Sequence, residues 1–123
     1  MVVETVLVVD DSATDTHIIC NALNSAGYNT LTVGSAEDAI ALAKEERPQA
    51  ILMDVVMPGT NGFQATRLLH NDPETSDIPI IIVSSKGKPS DKVWGLRQGA
   101  VGYITKPFSD EELIGKIRDL SSA

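Results

Sequence analysis

The sequence predicts an α/β fold: a doubly wound parallel sheet of five strands with five helices. Short apolar runs typical of buried strands alternate five times with longer segments of helical periodicity. A regular alternation of this kind places parallel strands in one sheet, with right-handed crossovers and helices on both faces. The length of 123 residues is that of one domain with a sizeable core.

The strands are predicted from unbroken apolar runs. Four of these runs cover residues 5–9, 50–53, 80–83 and 101–105. Runs of this length and composition indicate strands that are buried on both faces. The alternation places the remaining strand between the first two helices.

Helices are predicted for the segments between and after these strands, at residues 12–26, 35–46, 62–71, 89–98 and 109–120. Ser35 and Asp38 have the spacing of an N-cap residue and an acid in the first turn. Ser109 and Glu112 have the same spacing and match a capping box more closely. Gly62 is expected to provide either a positive φ or a close approach of two backbone segments.

Polar residues stand at the carboxyl ends of the predicted strands. In chain order they are Asp10, Asp11, Asp54, Ser84 and Lys106. Open α/β sheets bind ligands at the edge where these strand ends meet, so the five side chains are predicted to form one site. Taken singly, Asp10 and Asp11 are more simply explained as a loop acid and a helix N-cap, and Asp54 as a turn residue. The occurrence of the whole set at successive strand ends favours the site.

The composition of this set indicates its chemistry. Three carboxylates in one crevice repel one another, and one is pushed toward protonation unless a cation joins them. Oxygen ligands with no nearby His or Cys suit Mg²⁺. With Mg²⁺ as cofactor, a carboxylate nucleophile, a hydroxyl and an ammonium group form an apparatus for phosphoryl transfer.

Four segments resemble the signature blocks of response-regulator receiver domains, in order and with the spacing of that family. They are LVVDDS at 7–12, LMDVVMPGTNGF at 52–63, IIIVSSK at 80–86 and GYITKPF at 102–108. The resemblance covers essentially the whole chain. It implies a flavodoxin-like sheet with strand order 2-1-3-4-5 and one receiver domain over residues 1–123, with no output domain attached.

The resemblance also implies roles for individual residues. Asp54 would accept the phosphoryl group, Ser84 would hydrogen-bond it and Lys106 would pair with it. Tyr103 matches an aromatic position whose rotamer changes with phosphorylation. The peptide bond before Pro107 is expected to be cis, which aims the lysine at the acidic pocket.

The metal ligands follow from the same resemblance. It implies that Asp11 binds Mg²⁺ directly and that Asp10 acts mainly through water. Asp54 and the backbone carbonyl of Val56 would complete the protein ligands. Asp54 is thus expected both to accept the phosphoryl group and to bind the metal.

Composition excludes several other classes of function. The net charge of −7 and the pI of about 4.6 leave no basic stripe for nucleic acid. No apolar run approaches the roughly 20 residues that span a membrane, and the N-terminus lacks the pattern of a signal peptide. The chain is therefore expected in the cytoplasm. The single cysteine, Cys20, is expected to be buried and inert among apolar neighbours.

Two other functional classes fit less well. A haloacid-dehalogenase-type phosphatase usually has a second Asp two positions beyond the nucleophile as general acid, and this chain has Val56 there. It is therefore not expected to be an enzyme beyond the loss of its own phosphoryl group. A phosphorylation-independent interaction module typically lacks one or more of the acids, the hydroxyl or the lysine. This chain has all of them, so a phosphorylation-controlled signalling module is favoured.

A narrower resemblance indicates a pathway and partners. The stretches GFQATRLLHNDPETSDIPIIIVSSK and DKVWGLRQGA are similar to stand-alone receivers of type IV pilus, twitching-motility chemosensory systems. This likeness implies a chemosensory histidine kinase as phosphodonor and a downstream protein target, with the chain a monomer or weak dimer. Flagellar chemotaxis, phototaxis and phosphate-sink receivers remain alternatives, because their sequences are similar.

The target-binding surface is expected on the fourth helix, the fifth strand and the fifth helix. Helical spacing predicts an inward stripe of Val93, Leu96 and Ala100 on the fourth helix. Trp94 then projects from a polar face, near the centre of that surface. The simpler explanation is that its indole only packs over neighbouring side chains. The family resemblance favours a binding role.

Overall fold

The computed structural model describes residues 3–57 and 61–121. Within them it has five parallel strands in the order β2-β1-β3-β4-β5 and five helices, as predicted. The strands are β1 Thr5–Val9, β2 Asn29–Val33, β3 Ala50–Met53, β4 Ile80–Ser84 and β5 Gly102–Thr105. The helices are α1 Ala13–Ser25, α2 Ala36–Glu46, α3 Gly62–Asn71, α4 Pro89–Arg97 and α5 Asp110–Ser121.

Side-chain caps fix where the helices start. Ser12 caps α1 and Ser35 caps α2, each by accepting a hydrogen bond from the backbone amide three residues later. Ser109 Oγ likewise accepts from the Glu112 amide at 3.1 Å, directly before α5. These caps satisfy amides that have no partner within the helix. The helices of the described residues start and end within one residue of their predicted boundaries.

The sheet is covered on both faces, as a parallel sheet requires. All five residues of β4 and all four of β3 are buried. One face packs against α1 and α5 through a cluster that includes Leu23, Leu113 and Ile117. The other face packs against α2 and α3 through a cluster that includes Ala39 and Leu69. The described ranges contain no helix that is long and apolar enough to cross a membrane.

The predicted inward stripe of α4 was wrong in part. Val93 is 50% exposed and Leu96 is 51% exposed, whereas Gly95 is buried. A Cβ at Gly95 would lie 2.7 Å from Ile82 Cδ1 and 3.1 Å from Tyr103 Cδ2. The helix therefore approaches the sheet through its smallest residue, because the side chains of the sheet already fill the space.

Other side-chain predictions for α1 and α4 can be compared with the structure. Ala100 is buried and Trp94 is 49% exposed, which confirms their predicted placement. Cys20 was expected to be buried, but it is only partly buried and packs on the edge of a core cluster. Its neighbour Ile18 is 49% exposed, so the apolar surroundings expected for the thiol are incomplete.

Gly62 permits a close backbone approach beneath the site. A Cβ built on it would lie 2.1 Å from the Asp54 carbonyl oxygen, closer than any real contact. Its φ is not in the positive region. Of the two predicted explanations for Gly62, the close approach of two backbone segments is therefore the correct one.

Candidate phosphoacceptor and metal site

The three predicted acids meet at the carboxyl edge of the sheet. One carboxylate oxygen from each of Asp10, Asp11 and Asp54 lies within 4.8 Å of the others. The sheet ladder positions two of them, since the Asp10 amide donates to Val33 O at 3.1 Å and the Asp54 amide donates to Val9 O at 2.9 Å. Asp10 and Asp54 are buried, whereas Asp11 is exposed.

Local backbone amides orient the two buried carboxylates. The Ser12 amide donates to Asp10 Oδ1 at 2.9 Å, and the Val56 amide donates to Asp54 Oδ1 at 3.2 Å. In both residues the other oxygen, Oδ2, faces the Lys106 ammonium. Each carboxylate thus has one oxygen held by the backbone.

Lys106 reaches the acids from the end of β5, directly before Pro107. Its Nζ lies 2.8 Å from Asp10 Oδ2, 2.9 Å from Asp15 Oδ2 and 3.8 Å from Asp54 Oδ2. The Lys106-Pro107 peptide bond is cis, as predicted. Asp15 was not among the site residues predicted from the sequence. Its position in the first turn of the helix that starts at this same edge was the available signal.

Ser84 and Tyr103 connect the site to the loop after β4. Ser84 is fully buried, and its Oγ accepts a hydrogen bond from the Lys86 amide at 3.2 Å. The Tyr103 hydroxyl donates to the carbonyl oxygen of the same Lys86. The Lys106 amide donates to Ser84 O at 2.8 Å, which joins the ends of β4 and β5. Lys86 therefore contacts both Ser84 and Tyr103.

Burial and charge shift the ionisation of this cluster. Burial raises the pKa of Asp54 to about 6, the Asp10 charge also raises it, and the Val56 amide and Lys106 oppose the change. Burial alone would lower the pKa of Lys106, but hydrogen bonds to Asp10 and Asp15 raise it above its ordinary value. Lys106 therefore stays charged, whereas the ionised form of Asp54 is disfavoured mainly by its burial.

The donor set fits a hard divalent cation. Three carboxylate oxygens converge, and no His or Cys belongs to the group found in the described residues. Asp10, Asp15 and Asp54 share one ammonium group, that of Lys106, so the pocket carries surplus negative charge when its acids are ionised. Mg²⁺ prefers one or two carboxylates together with water and phosphate oxygens. This edge supplies the carboxylates.

Grooves on both sides give access to the cluster. Asp10 and Asp11 line an open groove of about 510 Å³ that also includes His17 and Cys20. Asp15 and Lys106 line a second groove of about 420 Å³ on the opposite side. Asp10 and Asp11 are thus accessible to ions from the first groove, and Asp15 and Lys106 are accessible from the second.

Comparison with known proteins assigns the chain to a family. Residues 6–118 match the response regulator receiver domain, and the chain belongs to that family. The protein PilH of Pseudomonas aeruginosa is 50% identical over 112 residues, which are 91% of this chain and 93% of PilH. The phosphate regulon transcriptional regulatory protein PhoB of the same species is 42% identical over 118 residues. The match covers 96% of this chain but 52% of PhoB.

Solved structures agree with this assignment. A putative response regulator from Chloroflexus aurantiacus has a TM-score of 0.94 at 30% identity, and the match covers 99% of this chain and 100% of that one. The chemotaxis response regulator CheY4 of Vibrio cholerae has a TM-score of 0.89 at 29% identity, with 97% and 99% covered. The flavodoxin-like fold and the family are thereby confirmed.

Proposed function

We propose that this chain is a stand-alone response regulator that accepts a phosphoryl group on Asp54 from a chemosensory histidine kinase. One observation carries the proposal: the carboxylates of Asp10, Asp11 and Asp54 converge within 4.8 Å, with the Lys106 ammonium 3.8 Å from Asp54. Such a cluster is costly for a fold to maintain without a function, because the acids repel one another. Membership of the receiver family supports the same function.

In the proposed reaction Asp54 is the nucleophile. One of its carboxylate oxygens attacks the phosphorus of a phosphohistidine or a small acyl phosphate, and the bond from phosphorus to the donor breaks with its electron pair leaving on the donor. The Val56 amide holds Oδ1, so Oδ2 is the oxygen better placed to react. Lys106 and the Ser84 hydroxyl then contact the transferred oxygens. Loss of the group to water is the only further chemistry proposed.

Asp10, Asp11, Asp54 and the carbonyl of Val56 are the proposed ligands of Mg²⁺. When bound, Mg²⁺ supplies positive charge that offsets the negative charge of the phosphoryl oxygens. Asp11 is the exposed member of the carboxylate set and is proposed as a direct ligand, whereas Asp10 already accepts from the Ser12 amide and from Lys106. Asp10 is therefore proposed to act mainly through water.

The hydrogen bonds of Lys86 support a route from the site to a partner-binding face. When Ser84 Oγ turns to a phosphoryl group on Asp54, it gives up the bond from the Lys86 amide. The Lys86 carbonyl is also the acceptor for the Tyr103 hydroxyl. A change at Ser84 thus alters the loop that holds Tyr103, whose ring packs beneath Gly95 of α4.

The proposed output face consists of α4, β5 and α5. Val93 and Trp94 on α4, and Val101 directly before β5, are about half exposed and are the proposed apolar contacts with a protein partner. Trp94 is proposed as a central contact, whose truncation would cost about 2 kcal/mol of binding or more. The net charge of −7 argues against nucleic acid as the partner.

The proposed pathway is the control of twitching motility by type IV pili. The chain is proposed to act in the cytoplasm. The likeness to PilH, with 93% of that protein covered, supports a regulator of this kind. Flagellar chemotaxis or phototaxis is the alternative, supported by the similarity to CheY4. Deletion of the gene distinguishes these pathways. Only a role in pilus control predicts defective surface twitching with normal swimming.

Phosphate incorporation from acetyl phosphate tests the reaction. Wild-type protein is expected to incorporate about one phosphate per chain with Mg²⁺ and none with excess chelator. Asp54→Asn is expected to abolish labelling, whereas Asp38→Asn, an exposed acid on α2, is expected to leave it unchanged. Labelling of Asp54→Asn at the wild-type level would overturn the proposal.

Affinity for a purified target protein tests the output face. Trp94→Ala is expected to weaken binding of the phosphorylated form about thirtyfold, which corresponds to about 2 kcal/mol. Leu68→Ala, a half-exposed apolar residue on α3, serves as the matched control. Equal affinity of Trp94→Ala and wild type, with folding and phosphorylation unchanged, would remove Trp94 from the interface.

A further inference from the structure

Asp15 is an acid of the site edge with no role in the function proposed so far. It lies in the first turn of α1, its Oδ2 is 2.9 Å from Lys106 Nζ, and its side chain is 38% exposed. Asp10 lies at a similar distance from the same ammonium, at 2.8 Å, but Asp54 is 3.8 Å away. In this structure Lys106 is thus in contact with two acids, neither of which is the phosphoacceptor.

A phosphoryl group on Asp54 requires Lys106 to change partners. The ammonium has to approach oxygens attached to Asp54, from which it is now about an ångström farther than from its two hydrogen-bonded acids. Asp10, Asp11 and Asp54 would hold a cation whose charge would offset that of Asp10, whereas Asp15 is outside this three-acid cluster. Asp15 then remains as the acid that competes with the phosphoryl group for Lys106.

We propose that Asp15 is a positioning residue that holds Lys106 in a resting position and so weakens its engagement with the phosphoryl group. The proposal rests on the phosphoacceptor function proposed above. Removal of the Asp15 charge frees Lys106 to approach Asp54. The phosphorylated form is then favoured, because one competing ion pair of the resting form no longer has to be broken.

Asp38 provides a matched control for the charge itself. Ser12 Oγ accepts from the Asp15 amide at 3.2 Å, and Ser35 Oγ accepts from the Asp38 amide at 3.2 Å. Both acids therefore occupy the third position after a serine N-cap, in helices that start at the same edge of the sheet. Asp38 makes no ion pair with Lys106. Asp38→Asn removes the same charge from an equivalent helix position without altering Lys106.

The first experiment measures the affinity for beryllofluoride, a phosphoryl analogue, with saturating Mg²⁺. Asp15→Asn is expected to bind it about two- to fivefold more tightly than wild type, the range that a partly exposed ion pair supports. Asp38→Asn is expected to match wild type, and Asp15→Glu to recover most of the wild-type value. Equal affinities for Asp15→Asn and Asp38→Asn, or weaker binding by Asp15→Asn, would overturn the proposal.

The second experiment needs no metal or analogue. A double-mutant cycle of Asp15→Asn and Lys106→Met on unfolding in chelator is expected to be non-additive, whereas a cycle of Asp38→Asn and Lys106→Met is expected to be additive. Additivity in both cycles would remove the ion pair on which the proposal depends. Failure of wild type to bind beryllofluoride, with the first cycle still non-additive, would instead refute the phosphoacceptor function and leave the pair in place.

Discussion

Substitution of Asp54 by Asn is expected to stabilise the metal-free protein. Burial raises the pKa of Asp54 to about 6, so the folded protein disfavours the ionised carboxylate that the unfolded chain accepts. Asn has nearly the same shape, and its oxygen can still accept the hydrogen bond from the Val56 amide. The change therefore removes a buried charge and leaves no cavity.

The size of the effect follows from the difference in pKa. The carboxyl has a pKa of about 6 in the folded state and an ordinary value of 3.8. At about 1.4 kcal/mol for each factor of ten, the ionised form costs up to about 3 kcal/mol of stability. Because the folded pKa is raised, this cost is absent below about pH 4. It grows as the pH rises from about 4 to about 6 and is fully present at pH 7.5.

Urea unfolding in excess chelator at several pH values measures this cost. At pH 7.5 the midpoint for Asp54→Asn is expected on the order of 1 M urea above that of wild type. The difference should shrink as the pH falls and be nearly absent by pH 4. Saturating Mg²⁺ should also reduce it at pH 7.5, because a cation bound only by the folded wild-type site stabilises that protein selectively.

The control for this experiment is Asp38→Asn. It makes the same change in net charge at an exposed position, so its midpoint should stay close to wild type at every pH. Equal or lower stability of Asp54→Asn at pH 7.5 in chelator would refute the reasoning. A gain that did not depend on pH would refute its assignment to the ionisation of Asp54.

Three further substitutions are predicted to affect stability in different ways, each measured by urea unfolding. Gly62→Ala should destabilise by about 2 kcal/mol or more, because the new Cβ meets the Asp54 backbone carbonyl and the backbone must move. Thr75→Val should cost about 1–3 kcal/mol, since the buried hydroxyl donates to Leu69 O at 2.6 Å and that carbonyl would lose its partner. Gly95→Ala should destabilise by about 1–3 kcal/mol, because the new Cβ meets Ile82 Cδ1 and the Tyr103 ring in a filled space and better helix propensity offsets only part of that cost. It should also shift the NMR resonances of the Tyr103 ring.

Much of the fold could be predicted because local signals agree with one another. The apolar runs of β1 and β3 have the lengths of the observed strands, and serine caps mark the starts of α1, α2 and α5. The convergence of Asp10, Asp11 and Asp54 followed from one topological rule, that parallel strands end at a common edge. The strand order came from family resemblance, since periodicity alone does not specify which strands are neighbours.

The remainder depends on packing that a linear pattern does not contain. The hydrophobic pattern predicted that Val93 and Leu96 face the core, but both are about half exposed. Instead, α4 packs through Gly95, because the ring of Tyr103 already occupies the space below. The pairing of Asp15 with Lys106 joins residues 91 positions apart. It depends on which of several acids a long, flexible side chain reaches, and the sequence does not determine that choice.

The charges at the site edge oppose stability and favour binding. The site edge holds four carboxylates, those of Asp10, Asp11, Asp15 and Asp54, and the Lys106 ammonium, so the fully ionised group carries a net charge of about −3. A divalent cation would reduce this to about −1, and its charge would offset both the cost of burying the ionised Asp54 and the smaller repulsion from Asp10. Neutralisation of Asp54 should therefore stabilise the metal-free fold while weakening its hold on a cation. At Asp54 the stability of the metal-free fold and the binding of a cation oppose each other, because one buried charge affects both.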